Sequence, residues 1–254
     1  MRSLVLTLCL AFSWSASAQW RVDKQSESQS LGHGAWQVTK TISGPNATKL
    51  NLIFFDAKNC SVQVVDRTSK ADAPSLSRAL QNTNAIAACN GGYFTPEFQP
   101  LGLVLSQGKR AGVFESSSLL GGVFQVRKGK PMLLWRDEFA EVSGITDLLQ
   151  AGPRLVNGGK SVTGLEALRR RPRTVLLTDN NGHWAIGSSG WVSLRDISDI
   201  LATPGIITEF AVERALNLDG GSSCGLWWKD ATGREHSEHE SATVRNFLVV
   251  VPKP

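Results

Sequence analysis

The chain has 254 residues, enough for one large domain or two small ones. Charged residues make up 19% of it and hydrophobic residues 41%, a composition that excludes a disordered, coiled-coil or collagen-like protein. The net charge of +5 is modest and no nucleic-acid-binding motif is present, so we expect no nucleic-acid partner. The 24 glycines exceed the roughly 18 expected at ~7% usage, which indicates many turns.

The first 18 residues have the pattern of a secretory signal peptide. Arg2 supplies the positive charge, residues 4–14 form a short apolar stretch, and the Ala-Ser-Ala of residues 16–18 fits the cleavage rule. This stretch is too short to span the ~30 Å of a bilayer core. We therefore expect a periplasmic or secreted chain that begins at Gln19 and has no integral membrane segment after cleavage.

Short strands separated by turns are predicted along most of the mature chain. We expect residues 19–48 to be an N-terminal lead-in and residues 49–254 to be one domain. A helix is predicted over 74–82, and 50–56 with 61–66 reads as a hairpin. The other predicted strands lie at 35–42, 85–89, 102–106, 122–126, 132–135, 146–151, 174–178, 183–187, 215–218, 225–228 and 247–251.

Two of these elements carry strong local signals. The Asn181-Gly182 pair is typical of a tight turn and predicts that 174–178 and 183–187 form a hairpin. Residues 193–203 have helical spacing, with Ser193 as N-cap and Pro204 ending the helix. Since strands outnumber helices by about three to one and no βαβ alternation occurs, we predict an α+β fold: a single domain with a mixed, largely antiparallel twisted sheet and few helices.

Cysteine spacing gives little information about disulfides or metals. Cys9 leaves with the signal, and Cys60, Cys89 and Cys224 remain. An exported protein can keep a disulfide, but the spacing does not select a pair. No C-x-x-C is present, and we predict neither a metal site nor a cofactor.

The strongest local motif is the run Asn217-Leu218-Asp219-Gly220-Gly221-Ser222-Ser223. A buried strand ends there with Asp219 at its tip, and the two glycines let backbone N–H groups point at one anion. The alternative is a tight turn in which Asp219 bonds only its own backbone.

A second strand tip, Asn90-Gly91-Gly92-Tyr93-Phe94, repeats the pattern of polar residue and paired glycine. Tyr93 is the only tyrosine, and its alternative interpretation is a half-buried core aromatic. Two such tips are less easily explained as independent accidents, so we predict that they form one site.

Arginine and tryptophan residues supply further candidates. Arg173, in Arg171-Pro172-Arg173-Thr174, could bind a phosphate through two parallel bonds, or belong to a solvated surface cluster. Trp227-Trp228 could offer one ring to a sugar, because neighbouring side chains of a strand face opposite sides; alternatively, one or both are core.

Two other chemistries are weakly indicated. Gly221-Ser222-Ser223-Cys224-Gly225 matches the nucleophile elbow of α/β-hydrolases, but the elbow needs a following helix where a strand is predicted here. His236 and His239 could form a metal pair, but they lie in a predicted polar loop without a third ligand.

Taken together, the motifs resemble the phosphodiester glycosidase family. The matching blocks occur in the family's order over roughly residues 50–251: Ala87-Ala88-Cys89-Asn90-Gly91-Gly92-Tyr93-Phe94, Pro100-Leu101-Gly102-Leu103, Ala151-Gly152-Pro153-Arg154-Leu155-Val156, Arg171-Pro172-Arg173-Thr174 and Ala215-Leu216-Asn217-Leu218-Asp219-Gly220-Gly221-Ser222-Ser223. Two departures are the stretch 203–213, where the family usually runs straight from helix to strand, and Ser222, where it often has another small residue.

The resemblance implies a hydrolase that cleaves the glycosidic bond of a sugar-1-phosphodiester or phosphoglycan. Its catalytic residues would be Asp219 and Arg173, with Glu97, Asp179 and Glu209 as candidates for a second carboxyl. The predicted substrate-binding residues are Asn90, Gly91, Gly92, Tyr93, Arg154, Thr174, Asn217, Gly220, Gly221 and Ser222. The alternative function is a non-catalytic binder of an envelope glycan or polyanion.

Overall fold

The computed structural model describes residues 20–71, 75–81, 83–238 and 240–253. The predicted signal peptide lies outside these residues, as do Pro74, Asn82 and His239. The two helices are α1 Leu76–Ala79 and α2 Leu194–Ala202. The strands are β1 Arg21–Gln25, β2 Gln29–Gly32, β3 Ala35–Ser43, β4 Thr48–Asp56, β5 Cys60–Asp66, β6 Ala87–Asn90, β7 Val104–Ser106, β8 Lys109–Ala111, β9 Gly122–Arg127, β10 Lys130–Trp135, β11 Ile145–Ala151, β12 Arg154–Asn157, β13 Lys160–Ser161, β14 Arg171–Thr178, β15 His183–Val192, β16 Arg214–Asn217, β17 Leu226–Lys229, β18 Glu235–Glu238 and β19 Asn246–Pro252.

The described strands form three sheets. One has nine strands in the order β1-β3-β4-β15-β14-β16-β12-β13, with β2 beside β3. The others have five strands each, in the orders β10-β9-β11-β7-β8 and β18-β17-β6-β19-β5. Every strand pairing in the described residues is antiparallel. The largely antiparallel pairing and the small helix content were predicted correctly, but the fold is mainly β rather than α+β, because the pattern over 74–82 yields only the single turn α1.

One apolar core joins the three sheets. Leu176 and Ile186 face it from the nine-stranded sheet, Val250 from the sheet that contains β19, and Phe124 from the sheet that contains β9. The other face of the nine-stranded sheet is covered by α2, whose buried residues include Ile197, Ile200 and Leu201. The Ser193 hydroxyl caps this helix by accepting from Asp196 N at 3.0 Å, as the sequence predicted.

The two predicted hairpins have opposite outcomes. β14 and β15 pair with each other, from Arg171 opposite Val192 to Thr178 opposite Trp184, which confirms the Asn-Gly hairpin. β4 and β5 do not pair: β4 lies between β3 and β15, whereas β5 pairs with β19 in another sheet. Both strands carry large apolar residues, and each strand buries them from its own side of the shared core. The segment predicted as a lead-in supplies β1 to β3 of the nine-stranded sheet.

A buried ion pair anchors the segment 203–213. Lys40 on β3 is 0% exposed, and its Nζ lies 2.8 Å from Glu209 Oε2 and 2.8 Å from the Ile206 carbonyl oxygen. A buried charge is costly unless it is paired and hydrogen-bonded. Glu209 therefore neutralises Lys40 and holds the segment onto the sheet. The sequence offered Glu209 as a candidate second carboxyl, but its carboxylate is paired with Lys40.

Removing one partner of this pair should destabilise the fold strongly. Glu209→Ala leaves the Lys40 ammonium buried without a counter-charge, and we expect a loss of about 3–5 kcal/mol in the free energy of unfolding, measured with urea. Lys40→Met combined with Glu209→Ala should recover most of that loss. Glu213→Ala, which removes an exposed carboxylate from the same segment, is the control. Equal losses for the two single glutamate variants would contradict the assignment.

Candidate active site

Two strand ends from different sheets meet beside the start of β14. β6 ends at Asn90 and β16 at Asn217. Asp219 N donates to the Gly91 carbonyl at 2.9 Å, and Asn90 Nδ2 donates to the Asp219 carbonyl at 2.6 Å. The turns that follow the two strands therefore bond directly to each other.

Asn90 is the buried connector of this junction. Only 1% of it is exposed, and its Oδ1 accepts from Thr174 Oγ1 at 2.6 Å and from Gly225 N at 3.1 Å. Together with its bond to Asp219, the Asn90 amide ties β6, β14 and the 219–225 turn into one unit. Thr174 is fully buried as well, so Asn90 and Thr174 support the site from beneath rather than face a ligand.

Tyr93 is close enough to both charged candidates to feel their charges. Its hydroxyl donates to the Gly152 carbonyl at 2.5 Å and accepts from Asn217 Nδ2 at 2.9 Å. Burial and the negative charge of Asp219 raise the pKa of Tyr93, an effect that the Arg173 charge partly opposes. The phenol is therefore a neutral hydrogen-bonding group at neutral pH.

Two of the paired glycines lie close against neighbouring groups. A Cβ on Gly91 would lie 2.1 Å from Asn246 Oδ1, and one on Gly220 would lie 2.7 Å from the Pro172 carbonyl oxygen. Neither distance leaves room for a side chain. The glycines thus allow the strand ends to approach Asn246 and the Arg173 segment.

Asp219 is half-buried at the tip of its strand. Its Oδ1 accepts from Gly220 N at 2.9 Å, so the backbone-bonded alternative is realised in part, and the Ser223 hydroxyl donates to the same carboxyl. Desolvation raises the pKa of Asp219, while these two hydrogen bonds oppose the rise. A carboxyl group with a perturbed pKa at a partly open position is a candidate for chemistry.

The Arg173 guanidinium is held in place by backbone carbonyls. Its Nε donates to Val192 O at 3.3 Å and its Nη2 to Arg169 O at 2.9 Å. Burial lowers the pKa of Arg173, yet the group keeps its charge near neutral pH, because arginine starts from 12.5. Nη1 has no protein partner in the described part of the chain, and it is the guanidinium nitrogen left to bind an anion.

Several predicted site residues contact other groups. The Arg154 guanidinium lies over the Trp135 ring, 5.4 Å from its centre. Asp179 is 2.6 Å from His183 Nδ1. Glu97 is exposed, and a hydrogen bond from the Thr95 side chain lowers its pKa. With Glu209 bound to Lys40, none of the three candidates for a second carboxyl has a contact with Asp219 or Arg173 in the described residues.

The sequence did not indicate two residues that complete the junction. Asn246 accepts from Gly92 N through Oδ1 at 2.7 Å and from Gly91 N through its carbonyl at 2.8 Å. Cys224 Sγ lies 3.3 Å from Thr174 Oγ1. Burial, with the charges of Glu238 and Asp219, raises the pKa of the Cys224 thiol to about 11. Cys60, Cys89 and Cys224 are all free thiols.

The weaker alternatives find little support in the geometry. Ser223 is buried and is followed by strand β17 instead of a helix, so the nucleophile elbow is not formed. Trp227 and Trp228 are both buried, as in their core interpretation. His236 lies on β18, not in a loop, and its Nε2 is 2.9 Å from Asp230 Oδ2. In the described residues no cluster of His, Cys, Asp and Glu could hold a metal ion.

A separate groove of about 540 Å³ lies at the far end of the β14–β15 hairpin. Asn180, Asn181 and Gly182 line it, opposite Lys130 to Leu134 of strand β10. Its lining contains no carboxylate and none of the predicted site residues. The groove is therefore separate from the junction that contains Asp219.

The profile of one protein family, "phosphodiester glycosidase", matches residues 83–251 of the chain. The chain belongs to the phosphodiester glycosidase family. The match includes Asn90, Arg173 and Asp219 and confirms the resemblance drawn from the sequence motifs. No curated protein matches the chain significantly.

Solved structures share the fold of this family member at low identity. The zebrafish N-acetylglucosamine-1-phosphodiester alpha-N-acetylglucosaminidase catalytic domain, auto-inhibited by its pro-peptide, has a TM-score of 0.63 and 15% identity, with coverage of 91% of this chain and 88% of that chain. A hypothetical protein from Synechocystis has a TM-score of 0.58 and 15% identity over 87% of this chain and 62% of the other. A protein from Burkholderia pseudomallei described as exported has a TM-score of 0.57 and 11% identity, with coverage of 90% and 96%.

The protein should be less stable with an ionised Asp219 than with an amide there. Because the folded state raises the pKa of Asp219, this group favours folding below the ordinary aspartate pKa of about 3.9, and that contribution is lost as the pH rises through the folded pKa. Asp219→Asn should therefore raise the urea midpoint at pH 7 more than at pH 3.5. The exposed Asp137→Asn is the control. A lower midpoint for Asp219→Asn at pH 7 would contradict this reasoning.

Proposed function

We propose that this phosphodiester glycosidase is an exported hydrolase that cleaves the glycosidic bond of a sugar-1-phosphodiester in an envelope or extracellular glycan. The observation that carries the proposal is the grouping of Asp219, Tyr93 and Arg173 at one junction of two sheets, in a chain of this family. That grouping offers a carboxyl, a neutral hydroxyl and a fixed cation to one ligand.

The chemistry of the leaving group fits this set of residues. Glycoside hydrolysis normally uses an acid to protonate the departing oxygen. A sugar-1-phosphodiester releases a phosphate monoester, a weak base that needs its negative charge held more than it needs a proton. The Arg173 guanidinium, which the carbonyls of Val192 and Arg169 fix in place, can stabilise that charge without reorganising.

Asp219 would face the sugar in this arrangement. An ionised carboxylate next to the anomeric carbon stabilises the positive charge that develops there as the bond to phosphate breaks. Desolvation makes this interaction stronger than it would be in water. The Tyr93 hydroxyl and the exposed Ser222 would contact sugar hydroxyls or phosphate oxygens.

The cellular location follows from the N-terminal pattern and stays a proposal. The charged, apolar and small-residue segments of residues 1–18 support export, and a fold relative from Burkholderia is itself described as exported. No helix within the described residues is long and apolar enough to span a membrane.

Asp219→Asn should abolish most turnover and leave binding nearly intact. We expect kcat on a panel of UDP-sugars and envelope phosphoglycans to fall by about 10²–10⁴-fold, the usual contribution of a catalytic carboxyl, with dissociation constants within a few-fold of wild type. Released reducing sugar measures turnover, and the exposed Glu97→Gln is the control. Full turnover in Asp219→Asn would refute the assignment, and wild-type binding without turnover would favour the non-catalytic glycan binder.

Arg173→Lys should weaken recognition of phosphate in particular. Lysine keeps the charge but cannot reproduce the planar fork that bonds both Val192 O and a ligand. We expect kcat/KM on sugar-1-phosphodiesters to fall about tenfold or more, the worth of one charge-assisted hydrogen bond, and aryl glycosides without phosphate to be unaffected. The control is Arg171→Lys, an exposed neighbour. Equal losses on both substrate types would argue against a phosphate-binding role.

A further inference from the structure

A second carboxylate, carried by strand β18, is held between two of the sheets. Glu238 ends β18, directly opposite Leu226 of β17. Because directly paired residues of a sheet share a face, Glu238 points the same way as Leu226, which lies in the core between the sheets. Its carboxylate therefore points inward although β18 is an edge strand.

Donors from the nine-stranded sheet hold this carboxylate. Asn51 Nδ2 donates to Oε1 and Ser188 Oγ donates to Oε2. Asn51 and Ser188 are themselves buried and directly paired between β4 and β15. A carboxylate has about four lone-pair positions, so two donors fix its orientation and leave acceptor capacity on both oxygens.

Polar side chains lie on the path from Glu238 to the Asp219 turn. Ser188 lies directly opposite Thr174, and Thr174 Oγ1 donates to Asn90 Oδ1 at 2.6 Å. Asn90 in turn donates to the Asp219 carbonyl. Cys224 Sγ lies 3.3 Å from Thr174 Oγ1, and burial together with the charges of Glu238 and Asp219 raises the pKa of its thiol.

We propose that Glu238 is the second carboxyl of the active site and the base that activates the attacking water. In this step Glu238 takes a proton from water, the water oxygen bonds to the anomeric carbon, and the bond from that carbon to the phosphate oxygen breaks. The phosphate monoester leaves with the electron pair and is bound by Arg173. The proton passes from Glu238 to solvent after the sugar departs. This role rests on the proposed function.

Glu238 has a simpler alternative explanation. Inward-pointing charges on edge strands prevent unwanted pairing of sheet edges, and β18 is such an edge. That role would be met without any effect on turnover. The two explanations therefore differ in measurable ways.

Kinetics of Glu238→Gln give the first test. We expect kcat to fall by about 10²-fold or more, as for loss of a general base, with KM within a few-fold of wild type. Azide should restore turnover in Glu238→Ala by replacing the activated water, giving a glycosyl azide. The control is Glu235→Gln on the same strand, whose carboxylate bonds Trp227 Nε1 instead. A kcat for Glu238→Gln within threefold of wild type, while Asp219→Asn is inactive, would overturn the inference.

A measurement independent of turnover separates this inference from the proposed function. Removing the Glu238 charge should raise the alkylation rate of Cys224 by iodoacetamide at pH 8 by about threefold or more, because a lower thiol pKa gives more thiolate. Cys60 and Cys89 are buried, and Cys224→Ser gives the background rate. An unchanged rate in a folded Glu238→Gln protein would show that Glu238 does not face the site, whether or not the wild type hydrolyses any substrate. If Glu238→Gln does not fold, Ser188→Ala provides a second test. It removes one of the two donors that orient the Glu238 carboxylate, and we expect kcat to fall about threefold or more.

Discussion

The side-chain amide of Asn90 is the contact on which the rest of the site depends. It accepts from Thr174 and from the Gly225 backbone, and it donates to the Asp219 backbone, so one buried group joins strands of two different sheets. Leaving a buried amide unsatisfied costs more free energy than one hydrogen bond gains. We therefore expect the three hydrogen bonds of Asn90 to form together. Asn90 thereby fixes the Asp219 turn. The next residue, Gly220, packs against the backbone of Pro172 and Arg173, so Asp219 also has a fixed position relative to Arg173.

The site also shows how the fold tolerates charge near its core. Lys40 is fully buried but is paired with Glu209, and Arg245 is nearly buried but is paired with Asp66. Asp219 and Arg173 are different, because each is partly buried and bonded mainly to backbone groups rather than to an opposite charge. Charges left without a counter-ion cost stability, and this cost is typical of positions that serve a ligand.

Sequence reasoning located the Asp219 and Asn90 turns because their signal is local. A strand followed by a polar residue and two glycines leaves few conformations open, and the family resemblance rests on the same short blocks. The roles within each block were harder to predict. Asn90 and Thr174 are supporting residues, while Arg154 contacts Trp135, because side-chain direction depends on strands that are distant in the chain.

The sequence alone determined the strand-rich composition, the β14–β15 hairpin, the helix over 194–202, the family and the blocks that meet at the site. These depend on local periodicity, turn residues and capping groups, which are readable within a dozen positions. Only the tertiary structure decided that β4 and β5 belong to different sheets, that Glu209 neutralises Lys40, and that Asn51 and Ser188 hold the Glu238 carboxylate. The reason is that strand pairing and burial join residues about 190 positions apart, such as Asn51 and Glu238, and no local pattern encodes which strands become neighbours.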